Sequence, residues 1–151
     1  MNQQERWQTP PEIFDPLMRE FRFDLDAAAD MVTRRVPAFL SPELDALNGH
    51  KWPGDVIWMN PPYGRQLEPF VRRAFAEAQR GPTIAALIPF RCRAAWWHEC
   101  VIGVAPQVRC YRKRIRFMKL DGTRGKFTGS CDSCLVVWRG SWRGETKLVS
   151  A

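Results

Sequence analysis

The apolar run Val56-Ile57-Trp58-Met59 stops against Asn60-Pro61-Pro62-Tyr63. β-Branched and aromatic residues favour a strand, and two consecutive prolines cannot continue one, because neither carries an N–H for the ladder. The chain must leave a buried strand at Asn60 and turn sharply. That puts Asn60 and Tyr63 at the carboxyl end of a strand, where open α/β sheets bind their ligands. Prolines also fix φ, so the corner is stiff and offers carbonyl acceptors rather than N–H donors. An amide oxygen, a proline carbonyl and an aromatic face lying close together suit a planar group with an exocyclic amine. The two acceptors take its two N–H bonds while the ring stacks on Tyr63. A proline-rich turn with no ligand is the plain structural alternative.

The flanks set the fold class. Leu67, Phe70, Val71, Ala74, Phe75 and Ala78 recur at helical spacing, with Arg72, Arg73, Glu77 and Arg80 on the other face, up to a stop at Gly81-Pro82. Thr83–Phe90 is continuously apolar, as expected of a strand covered on both faces. Strand, helix and strand make a βαβ unit. The expected fold is α/β, a reduced Rossmann-like and mostly parallel sheet. Val108–Tyr111, Ile115–Met118 and Leu135–Trp138 read as later strands that add an antiparallel excursion near the C-terminus, and residues 140–151 read as a frayed tail.

Upstream, Thr9 with Glu12 has capping-box spacing, and Phe14, Leu17, Met18 and Phe21 follow on one face of a helix over 10–20. Such a helix start can also receive an anion. Phe21, Phe23 and Leu25 alternate with Arg22, Asp24 and Asp26, which predicts a strand ending at Asp26. The small residues Ala27-Ala28-Ala29 would let a ligand approach the backbone there. A solvated loop aspartate or a cap is the alternative reading of Asp26. The interval from Asp26 to Asn60 is too short for a further strand–helix–strand unit, so an abbreviated crossover with a short helix near Pro42–Leu47 is expected.

The 151 residues, 45% of them hydrophobic, suit a single domain with its core at about 7–138 and no separate target-recognition domain. The net charge of +7 favours a polyanionic partner. Arg112, Lys113, Arg114 and Arg116 form the densest positive cluster, followed by a glycine-rich polar loop carrying Arg124, Lys126 and Phe127. Arg91 and Arg93 follow the Thr83–Phe90 strand at the active-site end, as phosphate contacts or as solvated loop arginines. Five cysteines, an odd number, point to reduced thiols. Cys131 and Cys134 have half the spacing of a zinc site, but no second pair exists and His50 and His98 are isolated, so no metal is expected. The longest apolar run is too short to span a bilayer, and Met1–Arg6 has no apolar signal core, so a cytoplasmic protein without a membrane partner is expected. Oligomeric state is not legible.

Asn60-Pro61-Pro62-Tyr63 resembles the catalytic signature of the S-adenosylmethionine-dependent amino-methyltransferases, above all the DNA N6-adenine enzymes. Phe23-Asp24-Leu25-Asp26-Ala27-Ala28-Ala29 is similar to the first cofactor motif of the small phage-type members, and the aromatic-x-Thr-Pro entry Trp7-Gln8-Thr9-Pro10 to the segment that touches the methionine end of the cofactor. The resemblance covers roughly residues 7–138. It implies a methyltransferase version of the Rossmann-like fold and methyl transfer from S-adenosylmethionine to N6 of adenine in DNA, leaving S-adenosylhomocysteine. A base inside a duplex cannot reach such a corner, so it would be flipped out.

The implied catalytic residues are Asn60, Pro61, Pro62 and Tyr63. The implied cofactor residues are Thr9, Pro10, Asp26, Ala27, Asp45 and Asn60, with Asp24 as the alternative carboxylate and Asp30 a weaker one. Asp45 stands where the family has an Asp-x-Leu that accepts from the cofactor's adenine amine; an ordinary surface aspartate is the alternative. Larger relatives carry a glycine-rich turn after the first strand, and this chain does not. Arg91, Arg93, Arg112, Arg114, Arg116, Arg124 and Lys126 would face DNA. With no room for a recognition domain, a short or relaxed target site is expected. A bacteriophage DNA-modification role in a bacterial host follows from the resemblance alone. The same chemistry suits N4-cytosine, RNA adenine or glutamine N5, and a non-catalytic DNA-binding module is the reading from another class.

Overall fold

The computed structural model describes residues 7–41, 46–125 and 132–151. Its strands are Leu25–Asp26 (β1), Val56–Met59 (β2), Thr83–Pro89 (β3), Gln107–Cys110 (β4), Ser133–Arg139 (β5) and Lys147–Ser150 (β6). They form one sheet in the order β1-β2-β3-β5-β4-β6. β1, β2 and β3 are parallel neighbours, β6 is parallel to β4, and β5 runs antiparallel to both β3 and β4. The carboxyl ends of β1 to β4 and the amino end of β5 therefore share one edge. This is the mostly parallel α/β architecture expected from the βαβ pattern, with the antiparallel strand inserted between β3 and β4.

Period-two alternation explains how the sheet is covered. Ile57, Met59, Ile84, Ala86, Ile88, Val136 and Trp138 project into one apolar cluster, while Trp58, Ala85, Leu87, Leu135 and Val137 project into the other. Successive side chains of a strand point to opposite faces, so continuous apolar runs fill both layers. Leu67–Ala78 (α2) and Ala95–Cys100 (α3) cover the first face through Phe70, Val71, Ala74, Trp96 and Trp97. Pro11–Phe21 (α1) covers the second through Phe14, Leu17 and Phe21. Gly64 at φ 105° turns the chain from the double proline towards α2, a conformation that favours glycine. Among the described residues no helix is long and apolar enough to cross a membrane.

Four expectations are corrected. The alternating stretch Phe21–Leu25 is not a strand: α1 persists to Phe21, Arg22 closes it in a left-handed conformation at φ 56° with its N–H on the Met18 carbonyl, and only Leu25–Asp26 pair. Phe21 and Phe23 stack at 5.3 Å in one cluster, so a helix end followed by a left-handed residue satisfies the same alternation. Ile115–Met118 is no strand either; Met118 alone forms isolated bridges, to Gln8 and to Arg124. The tail is not frayed, because Lys147–Ser150 pairs with β4 along its length. Its residues are mostly exposed on an edge, and its short Leu148-Val149 pair is too brief to stand out as a strand. The capping box is absent: Pro10 occupies the cap without a side-chain bond. Of the helix expected near Pro42–Leu47, residues 42–45 lie outside the described residues, and Ala46–Leu47 form a turn.

The loop before β2 is pinned from below. Glu77 of α2, 3% exposed, pairs with Arg73 at 2.6 Å and accepts the Trp52 N–H at 3.3 Å. The Trp52 indole donates to the Ala46 carbonyl at 2.9 Å. Closer to β2, a side chain at Gly54 would meet Asp24 Oδ1 and Leu25 Cβ at 2.8 Å and Ile57 Cγ1 at 3.0 Å. Gly54→Ala is expected to destabilise the fold by about 1–3 kcal/mol through overpacking. Guanidinium denaturation checks this, and an unchanged midpoint contradicts the close approach of β1 to the turn before β2.

Candidate active site

Three segments meet at the shared edge. β2 hands the chain to Asn60, half-buried, whose Nδ2 donates to Thr9 Oγ1 at 3.0 Å. Thr9 is 1% exposed. It is held from one side by the paired backbones of Gln8 and Met118, at 2.8 and 2.9 Å, and from the other by the start of α1. With Nδ2 turned to Thr9, the amide oxygen of Asn60 faces the other way. Pro61 is buried. The Tyr63 hydroxyl donates towards the Leu87 carbonyl at 3.4 Å and lies 3.3 Å from Ser133 Oγ, so it is tied to β3 and β5. Its ring meets Phe117 edge-on at 6.0 Å.

One strand over, the register pairs Asp26 with Trp58. Asp26 is 2% exposed; its Oδ2 accepts the Arg35 N–H at 2.9 Å and its Oδ1 the Ala28 N–H at 3.3 Å. The segments 7–9, 26–35 and 58–60 line a small cleft open to solvent, with Asp26, Thr33, Arg35, Thr9 and Asn60 among its polar walls. Arg35 lies 4.8 Å over the Phe14 ring and 3.7 Å from the Asp15 carboxylate, and among the described residues its buried Nε has no hydrogen-bond partner. Nothing in the local pattern marked Arg35: its tie to Asp26 runs through its backbone, and the loop after β1 has no periodicity. Phe117 was hidden for a related reason, inside a segment that reads as a strand.

The structure separates the candidate carboxylates. Asp24 lies at the amino end of β1 and accepts the Asp55 and Val56 N–H groups, at 3.0 and 3.2 Å. Asp30 closes its own turn by accepting from Val32 and Thr33. Ala27 packs into the core with its N–H on the Trp58 carbonyl, and Ala28 lines the cleft instead. Pro10 does not line the cleft. Its carbonyl receives the Ile13 and Phe14 N–H groups, and Pro10 and Pro11 bring no N–H of their own, so α1 has little to offer an anion. Asp45 lies outside the described residues, as do Lys126, Phe127 and Cys131. His98 is exposed on α3, a ring nitrogen 2.7 Å from the Cys92 carbonyl.

The basic residues fall on the same edge. Arg91 and Arg93 follow β3, and Arg112, Arg114 and Arg116 follow β4; all five are exposed. Arg112 donates to Ser150 Oγ at 3.0 Å, Arg114 lies 3.6 Å from Asp132, and Arg116 reaches the Gly125 carbonyl at 3.5 Å. Arg124 differs, because both arms of its guanidinium engage Glu12 at the start of α1. That pair holds the turn at 118–124 against the segment carrying Thr9, and Arg124 holds the Glu12 carboxyl below its usual range.

Burial pushes the Asp26 carboxyl up to about 6 from its ordinary 3.8, opposed by the Arg35 and Ala28 N–H groups and the Arg35 charge. Over the window between those values the folded chain keeps a proton that the unfolded chain has released. Stability therefore falls as pH rises from about 4 to 6, by roughly 3 kcal/mol, and the loss is complete above 6. Denaturant titrations of the protein and Asp26→Asn at several pH values check this. The stability of the wild type relative to the variant should decline across that window and then level; a pH-independent difference contradicts it.

The whole chain is similar to known proteins. Residues 1–151 match the sequence model of the family described as DNA N-6-adenine-methyltransferase (Dam). A DNA N-6-adenine-methyltransferase of Haemophilus phage HP1 is 33% identical over 115 residues, covering 74% of this chain and 65% of that protein. One of Escherichia phage T1 is 32% identical over 94 residues, covering 62% of this chain and 39% of that protein. The matches thus span less than two thirds of either relative. With the family model matched from end to end and the Asn-Pro-Pro-Tyr corner beside a buried carboxylate, the chain belongs to the DNA N-6-adenine-methyltransferase (Dam) family.

Proposed function

We propose that this chain transfers a methyl group from S-adenosylmethionine to the N6 amine of adenine in DNA. The observation that carries the reading is Asn60, set by the double proline at the mouth of the cleft with its Nδ2 already engaged by Thr9. The cleft's donor set fits the cofactor's amino-acid end. Among the described residues Asp26 accepts two hydrogen bonds of the four or so a carboxylate can take, leaving capacity for an ammonium. Arg35, with a buried Nε lacking a partner, suits a carboxylate. When bound, S-adenosylmethionine supplies an electrophilic methyl on a sulfonium.

The chain's own residues address the poor nucleophile. Adenine's amine is unreactive because its lone pair is delocalised into the ring. Asn60 Oδ1 and the Pro61 carbonyl accept its two hydrogens and draw the nitrogen towards tetrahedral geometry, which frees the lone pair. These bonds strengthen as the nitrogen pyramidalises, so they favour the transition state over the ground state. Holding donor and acceptor in line contributes up to about 7–11 kcal/mol in well-oriented systems. The Tyr63 ring, fixed through its hydroxyl and backed by Phe117, recovers part of the stacking lost on flipping, worth roughly 1–3 kcal/mol per base. The exposed arginines that follow β3 and β4 offer phosphate contacts on the same edge. Target readout then rests on these loops, within a single domain.

Labelled methyl transfer onto unmodified DNA tests the reading. Asn60→Ala should lower turnover at least about a hundredfold, by analogy with removing one preorganised hydrogen-bonding group from a transition state. Its S-adenosylhomocysteine affinity, by calorimetry, should stay within a few-fold. Tyr63→Ala should cost more turnover than Tyr63→Phe, which keeps the ring. Full activity in Asn60→Ala removes the corner from the chemistry.

A further inference from the structure

An asparagine in a catalytic corner has a problem that a carboxylate does not. Its side chain ends in one acceptor and one donor, and a half-turn about the last bond exchanges them. Presented one way, Oδ1 accepts from an incoming amine. Presented the other way, an NH₂ meets an NH₂, and neither can accept usefully. The double proline fixes the backbone beneath Asn60 but not that last torsion. Something else must hold the amide in place.

We infer that Thr9 is the positioning residue that holds the plane of the Asn60 amide, an inference that rests on the amine-methylating reading above. Its Oγ1 receives Nδ2 of Asn60 at 3.0 Å, on the side away from the amide oxygen. Thr9 is 1% exposed, so water does not substitute for it. Its own placement is over-determined. Gln8 is paired on both sides of its peptide with Met118, Pro10 and Pro11 restrict the chain immediately after it, and the Arg124–Glu12 pair clamps the 118–124 turn to the same corner. The segment 7–10 is thus a brace for the corner. A residue that looks like a helix cap in the sequence is diverted 51 positions along the chain to set one torsion. Thr9 need not touch the substrate to matter.

The test compares Thr9→Val, which keeps the shape and removes the hydroxyl, with Thr9→Ser, which keeps the hydroxyl, and with Thr9→Ala, which removes it without adding a buried methyl. Turnover on DNA, S-adenosylhomocysteine affinity and the Asn60 side-chain amide NMR signals, assigned by their loss in Asn60→Ala, are read for each. In Thr9→Val and Thr9→Ala turnover should fall about tenfold, the loss expected when one buried hydrogen bond no longer holds the Asn60 side chain. Ligand affinity should fall clearly less than turnover, and the Asn60 amide signals should move. Thr9→Ser should restore turnover to within about threefold of wild type. Unchanged turnover without the hydroxyl, unmoved amide signals, or a loss of ligand affinity as large as the loss of turnover each overturn the inference. Should the wild type itself transfer no methyl group to DNA, the proposed activity fails, and the amide signals alone decide whether Thr9 holds Asn60.

Discussion

Two prolines in succession end the β2 ladder at Met59, and the rest of the site follows from where that ending falls. Because β2 lies between β1 and β3 in parallel register, its end sits beside Asp26 on one flank and below Leu87 and Ser133 on the other. Asn60 is therefore released from the sheet between a buried carboxylate and the anchor of the Tyr63 hydroxyl. The stiffness is local and covalent. It does not depend on a large core contact, and the two apolar layers only have to hold the strands in order.

Burial is what distinguishes Asp26 from the other aspartates nearby. Asp24 and Asp30 bond to backbone N–H groups in turns, which any short carboxylate can do. Asp26 is almost fully buried, with its charge opposed by desolvation, and it lines a cleft beside an arginine whose Nε lacks a partner. Burying such a carboxyl is costly, which makes Asp26 the candidate functional carboxylate of the three. The opposite balance holds at Glu77, where the buried carboxylate is satisfied by Arg73 and Trp52 and serves the fold.

The central βαβ unit was legible because its periods are unambiguous: an apolar run cut by prolines, a two-faced helix ended by Gly81-Pro82, and a second run buried on both faces. What was not legible depended on long-range partners. Thr9 and Glu12 have capping-box spacing, yet each is claimed by a residue far along the chain, Asn60 and Arg124. Phe21 and Phe23 alternate like a strand because both sink into one cluster from either side of a left-handed residue. β6 carries only the short apolar pair Leu148-Val149, since an edge strand needs only a neighbour with open hydrogen-bonding groups, and β4 supplies it. Arg35 was invisible because the pattern that recruits it exists only once the loop after β1 has closed over Asp26.

In the proposed function the corner at Asn60 accepts hydrogen bonds from both hydrogens of an aromatic amine, so that its nitrogen can take a methyl group from the sulfonium and lose one proton to solvent. Identification of the modified base tests it most directly. DNA lacking methylation is incubated with the protein and isotopically labelled S-adenosylmethionine, digested to nucleosides and resolved by mass spectrometry. The account predicts label in N6-methyladenine. Label confined to cytosine, or DNA that remains unlabelled while the cofactor binds, would contradict it.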